Sequence, residues 1–144
     1  MKKLNDLFCG TKGEGAYLVQ ELEQRGENFT KENLIAITKD ANDRIVWFER
    51  GKPDDPTTGK GGTGLLHIVQ RHRKEFADAG IPEKEIPQYL MTAVKYGTVI
   101  GVQGRRGGRA IYEFRYCGQL RRIAISIGNN GFIVGANPTS IPKE

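Results

Sequence analysis

From Thr98 onward, four strand-like runs, TVIGVQ, RAIYEFRY, LRRIAISI and GFIVGA, are separated by the turn-forming stretches GRRGG, CGQ and GNNG. Connections this short leave no room for crossover helices, so neighbouring runs must pair as an antiparallel meander of four strands. Within RAIYEFRY, period-two alternation puts Arg109, Ile111, Glu113 and Arg115 on one face and Ala110, Tyr112, Phe114 and Tyr116 on the other. The second set is apolar enough to face a core, with Tyr112 and Tyr116 read as core residues rather than base-stacking platforms. A sheet with one apolar face needs helices to cover it.

The upstream sequence supplies them. Residues 13–26 carry Tyr17, Leu18 and Leu22 on one stripe and end in a glycine, which predicts a short amphipathic helix. LIAITKD and RIVWFE flank an Ala-Asn-Asp turn and read as a hairpin over 34–49. GKPDDPTTGKGG is an exposed loop by composition. Leu65, Ile68, Val69 and Phe76 then recur at helical spacing up to about Ala79, and a further helix is expected to start at Pro87 and stop before Gly97. The expected fold class is α+β: N-terminal helices and a short hairpin, then helices packed on the four-stranded antiparallel sheet. At 144 residues the chain suits one domain, with 1–59 as an N-terminal subregion and 60–144 as a basic catalytic subregion.

Charge separates these subregions. Residues 1–59 carry 9 Lys/Arg against 11 Asp/Glu and residues 60–144 carry 13 against 6, so the overall +5 divides into −2 and +7. Arg105, Arg106, Arg109, Arg115, Arg121 and Arg122 are opposed locally only by Glu113. Such a cluster attracts a polyanion, and its use of arginine rather than lysine suits bidentate phosphate contact. No apolar run is long enough to span a bilayer, and MKKLNDLFCG lacks the apolar stretch and cleavage site of a signal peptide, so no membrane role is expected and export would need another route or a larger parent chain. Cys9 and Cys117 have neither zinc-site nor disulfide-framework spacing and read as free thiols in a reducing compartment.

GKGGTGLLHIVQRH contains a G-x-G-x-x-G pattern at Gly59, Gly61 and Gly64 and both histidines of the chain. No strand leads directly into these glycines, no strand-helix-strand unit surrounds them, and no Gly-Lys-Ser/Thr closes the loop. The pattern is therefore read as a hinge rather than a nucleotide cradle. On a helical projection His67 shares a face with Arg71 and Lys74, where it could exchange protons near a phosphate held by Arg71. His72 falls on the apolar stripe, as a core histidine or a group lining a cleft at the helix–sheet junction. Their i,i+5 spacing does not suit a two-histidine metal grip.

Glu113, between Arg109 and Arg115 on its face, could act as a general base at a phosphodiester, the arginines neutralising oxyanion charge. It could equally belong to a cross-strand ion-pair ladder. Asn137, Thr139 and Ser140 could bind a phosphate at the sheet rim or form a local Asx or Ser/Thr turn.

Taken together, VWFERG, GLLHIVQRH with the following Phe76, IYEF and ISIGNNGFIVGANPTS resemble the C-terminal toxin domains of bacterial polymorphic toxins, including contact-dependent inhibition systems, within the superfamily of barnase, the EndoU enzymes, the tRNA-cleaving colicins and ribosome-dependent toxins. The likeness covers about residues 46–140. It implies a small α+β ribonuclease, delivered as part of a larger secreted or cell-surface toxin and acting on RNA, with tRNA the expected class, in the target-cell cytoplasm. It also implies a cognate immunity protein, expected to be acidic. Members share no single catalytic set, so the positions carried over are His67, Arg71, His72 and Asn137 to Ser140. The glycine-flanked histidine pair and lysine of EndoU enzymes do not occur here.

The expected chemistry is metal-independent and cofactor-free. His67 or Glu113 takes the 2′-OH proton, Arg71 or the sheet arginines Arg109 and Arg115 stabilise the transition state, and a histidine protonates the leaving 5′-oxygen to leave a 2′,3′-cyclic phosphate. A non-catalytic nucleic-acid-binding module and a metal-dependent DNase are the rival classes.

Overall fold

A computed structural model describes residues 14–104 and 108–139. The protein is α+β. Helix α1 (Glu14–Gln24) precedes the hairpin of β1 (Leu34–Lys39) and β2 (Ile45–Glu49); α2 (Gly64–Asp78) and α3 (Ile86–Tyr96) follow; β3 (Thr98–Gln103), β4 (Arg109–Tyr116), β5 (Gln119–Ile127) and β6 (Ile133–Pro138) complete the order. The last four form the antiparallel meander β3-β4-β5-β6. Cys117 and Gly118, both at positive φ, make the two-residue turn between β4 and β5.

Local sequence explains the ends of the helices. Gly26 has φ +72°, and the amides of Gly26 and Glu27 donate back to the Glu23 and Leu22 carbonyls, the Schellman arrangement that a glycine permits. Gly80 ends α2 in the same way, with Ile81 N–H donating to the Phe76 carbonyl and both side chains in the core. Pro87 occupies the first turn of α3.

The hairpin is apolar on both faces because it lies between two cores. Ala36, Val46 and Phe48 join α2, α3 and the four-stranded sheet in the larger core, whereas Ile37, Ile45 and Trp47 meet Leu18, Val19 and Leu22 of α1. Expectation and structure differ in α1: Tyr17 is 76% exposed and Val19 takes its place against the hairpin. Trp47 N–H donates to the Gly131 carbonyl, so β2 bridges to the residues leading into β6. Tyr112, Phe114 and Tyr116 are buried, as the alternation of β4 requires. Tyr89 of α3 meets Phe114 and Tyr116 edge-on at centroid distances of 4.9 and 4.8 Å. Each such pair adds about 0.5–1.5 kcal/mol beyond burial alone.

These contacts fix α2 against β6, with Ile68 and Phe76 sharing the core with Ile133 and Ala136. They leave the opposite face of the meander, which carries Arg109, Glu113, Arg122 and Asn137, available for polar chemistry.

Candidate active site

Arg109 opens β4 one residue before the Ala110–Ile125 pair, Gly135 pairs with Ser126 on the neighbouring strands, and Asn137 stands two residues along from Gly135. Arg109 Nη1 donates to Asn137 Oδ1 at 2.8 Å across the sheet. Gly135 makes this possible: a Cβ there would lie 2.7 Å from Arg109 Nη2 and 3.4 Å from His67 Cδ2. The missing side chain lets a helix-borne imidazole and a strand-borne guanidinium converge over one backbone position. We expect Gly135→Ala to displace the flexible Arg109 tip, leaving the melting temperature nearly unchanged while lowering activity. A large loss of stability with full activity would show that the close approach has no part in the chemistry.

The other edge of the imidazole faces the loop before α2. His67 Nδ1 lies 3.3 Å from Asp54 Oδ1, an ion-pair distance without the alignment of a hydrogen bond. Asp54 is itself held firmly. Its Oδ1 accepts from Gly62 N–H at 2.8 Å, its Oδ2 from Arg71 Nε at 2.6 Å, and its own N–H donates to Gln70 Oε1 at 2.7 Å. Arg71 Nη2 also donates to the Gly59 carbonyl. Gly62 has no room for a Cβ, which would sit 2.6 Å from Asp54 Oδ1 and 2.8 Å from His67 Nδ1.

This network decides the role of the glycine loop. Gly59 N–H donates to the Asp55 carbonyl, Lys60 N–H to Thr58 Oγ1, Gly62 N–H to Asp54 and Thr63 N–H to the Lys52 carbonyl. Leu66 N–H, in the first turn of α2, donates to the Arg50 carbonyl. A phosphate cradle needs such donors unoccupied. The loop is an ordered scaffold for Asp54, in place of the hinge that its composition suggests.

Burial is the largest influence on His67 and holds its pKa below the ordinary histidine value; Asp54 opposes this, and Arg109 and Arg71 add to it. Hydrogen bonding from Arg71 lowers the Asp54 pKa, with burial opposing and the Gly62 amide adding to the lowering. Burial also lowers the Arg109 pKa, opposed by Glu75. At neutral pH the site therefore holds an uncharged imidazole between a carboxylate and a guanidinium.

The structure thus brings together His67, Arg71, Arg109 and Asn137 and adds Asp54, which compositional reading left in an exposed loop. Arg71 reaches the site through Asp54, so its Nε and Nη2 are engaged with the protein. His72 lies half-buried at the rim, its Nδ1 2.8 Å from Glu75 Oε1, and its side chain is more exposed than that of His67, 22% against 14%. The helical projection had placed the two the other way round. Glu113 faces Arg122 on β5 rather than Arg109 or Arg115, with Arg122 Nε and Nη2 at 2.9 and 2.7 Å from its Oε2. It stands four residues along β4 from Arg109, about 13 Å at strand rise. Arg115 is exposed and points Nη1 at the Gly118 carbonyl. Thr139 N–H pairs with the Arg122 carbonyl at the end of the sheet. Ser140, Arg105, Arg106 and Cys9 lie outside the described residues.

Among the described residues no three His, Cys, Asp or Glu side chains gather as a metal site would need, and no helix is long and apolar enough to cross a membrane. No protein-family model matches the chain, and no curated protein matches it.

Proposed function

We propose that the protein is an endoribonuclease of the toxin type, cleaving RNA by metal-independent attack of the 2′-hydroxyl. The observation that carries this reading is the placement of His67 between Asp54 and the Arg109–Asn137 pair over Gly135. His67 Nδ1 faces Asp54 and Cδ2 faces the sheet, so Nε2, bonded to Cδ2, is the nitrogen left for a substrate.

With the imidazole neutral, Nε2 takes the 2′-OH proton. O2′ attacks the adjacent phosphorus, the P–O5′ bond breaks, and O5′ leaves and takes a proton from water. The products are a 2′,3′-cyclic phosphate and a 5′-hydroxyl. Arg109, held by Asn137, neutralises charge growing on the phosphoryl oxygens, and Asp54 stabilises the imidazolium formed in the step. A guanidinium fixed before the reaction requires no reorganisation as charge develops, which is where its contribution to rate comes from.

The +7 balance of residues 60–144 supports a polyanionic substrate, with tRNA as the first class to test, and an acidic immunity protein that competes for the same surface. Delivery as the terminal part of a larger toxin rests on the family resemblance alone. Incubating the protein with total RNA in EDTA and mapping the ends tests the chemistry: cleavage leaving 2′,3′-cyclic phosphates is expected. Activity that vanishes in EDTA and returns with magnesium overturns the mechanism, and tight RNA binding with no cleavage favours a non-catalytic module.

A further inference from the structure

Away from His67, at the far end of the sheet, a cavity of about 370 Å³ lies where β5 begins and β6 ends, against the end of α2 and the middle of α3. That is the size of a small ligand pocket. Ala79, Tyr89, Arg121, Arg122, Pro138 and Thr139 are among the residues lining it, and among the described residues no lining residue is acidic. Two of them carry buried polar atoms without a hydrogen-bond partner among the described residues, Arg121 Nε and Thr139 Oγ1. Unsatisfied buried polar atoms are uncommon and each costs stability, so two beside one cavity call for an explanation.

The rest of the Arg121 guanidinium is fixed. Nη1 donates to the Ala79 carbonyl at 2.7 Å and Nη2 to Gln119 Oε1 at 2.9 Å, so both Nη atoms are anchored while the buried Nε–H has no acceptor among the described residues. Arg122, beside it, is held by Glu113 through Nε and Nη2. Burial pushes the Tyr89 phenol up to about 12, so its hydroxyl keeps its proton across the working range. The cavity therefore combines positive charge and donors already oriented with, among the described residues, no carboxylate in its lining. A larger groove of about 690 Å³ beside the hairpin mixes Glu32 and Glu83 with Arg50 and Lys84, and its charge selects no ligand.

We infer that this cavity is a second phosphate subsite, in which Arg121 Nε and Thr139 Oγ1 donate to a phosphodiester of the RNA strand flanking the one beside His67. The inference rests on the ribonuclease reading for its ligand. Thr139 follows the last residue of β6, two residues beyond Asn137, the partner of Arg109, and about 7 Å from it at extended-chain rise. One extended strand can therefore run along β6 from the first site to the second.

The test measures binding separately from cutting. A non-cleavable RNA oligonucleotide, with 2′-deoxy substitution at the cut position, is titrated against the wild-type protein and against Thr139→Val and Arg121→Gln. Thr139→Val loses a buried hydroxyl that has no partner among the described residues, so its melting temperature should be unchanged or raised. Its affinity should fall about tenfold if the hydroxyl donates to a charged phosphate. Arg121→Gln should weaken binding at least as much and reduce the slope of log affinity against log salt by about 0.7, one single-strand phosphate contact. Unchanged affinity in Thr139→Val overturns the subsite even if the wild type cleaves RNA normally. If the variants bind the oligonucleotide more weakly than a wild type that itself never cleaves RNA, the subsite stands and the catalytic reading is removed instead. A parallel titration with inorganic phosphate separates the sources: if the variants weaken only free phosphate, the assignment to RNA is overturned.

Discussion

His67→Ala should lower RNA cleavage by roughly 10²- to 10⁴-fold, the range lost when a positioned general acid–base group is removed, with little change in fold. The imidazole lies in contact distance of both Asp54 and the Gly135–Arg109 corner, so its removal takes away the base between them. His72→Ala should keep activity within a few-fold, because His72 is turned to Glu75 at the rim. The pH profile supplies a sharper test. If neutral His67 is the base, the rate falls as pH drops through its pKa in the folded protein, which burial holds below the ordinary value of about 6.5. Asp54 acts against that lowering, so Asp54→Asn should move the acid limb to still lower pH while cutting the maximal rate by up to about 100-fold through misplacement. The same lowered pKa gives a stability signature. His67 contributes no penalty above the unfolded value, and stability is lost as pH falls from there through the folded value. An acid limb that stays in place in Asp54→Asn would remove Asp54 from the mechanism.

The meander was readable because its alternation is local: each residue of β4 announces its face by its own polarity, and CGQ can only turn. The hairpin was equally legible, though not its burial on both sides, since that depends on α1 and the larger core meeting it from opposite directions. The site was less legible for the same reason. Asp54 is 6% exposed yet sits in PDDPTT, where every compositional signal says solvent; its burial comes from Arg71, 17 residues away, and from Gly62. Gly135 offered a signal that could have been used, because an isolated glycine inside a strand marks a close approach by another group. The projection of α2 ranked His72 as the deeper histidine by the apolar stripe alone. The Asp54 loop and β6 close over the side carrying His67, and neither is visible in the periodicity of one helix.

Gly51→Ala should be the most destabilising substitution of a small residue in the loop that carries Asp54. Gly51 has φ +68°, and a Cβ there would overlap the carbonyl oxygen of Thr63 and lie 2.9 Å from Gly64 Cα. The obstacle is backbone, so no side-chain rotation relieves it. Gly64, at φ +70°, approaches Gly51 from the other side, its own Cβ position only 3.0 Å from Gly51 Cα. The pair closes the base of the loop, where Lys52 and Thr63 exchange two 2.9 Å backbone hydrogen bonds. An alanine must break that bridge or remain in a left-handed conformation against it. Conformational cost of about 1–2 kcal/mol and overpacking of about 1–3 kcal/mol together give roughly 3 kcal/mol, a fall in melting temperature on the order of 10 °C. Activity should fall with it, since a loop opened at its base no longer holds Asp54 against His67. Gly59→Ala is the control: its φ is +70°, but nothing lies within 4 Å of the added Cβ, so it carries the conformational cost alone. A melting temperature for Gly51→Ala equal to that of Gly59→Ala would mean that the close backbone approach at Gly51 does not constrain the fold, and that the position of Asp54 must be set by Arg71 and Gly62 alone.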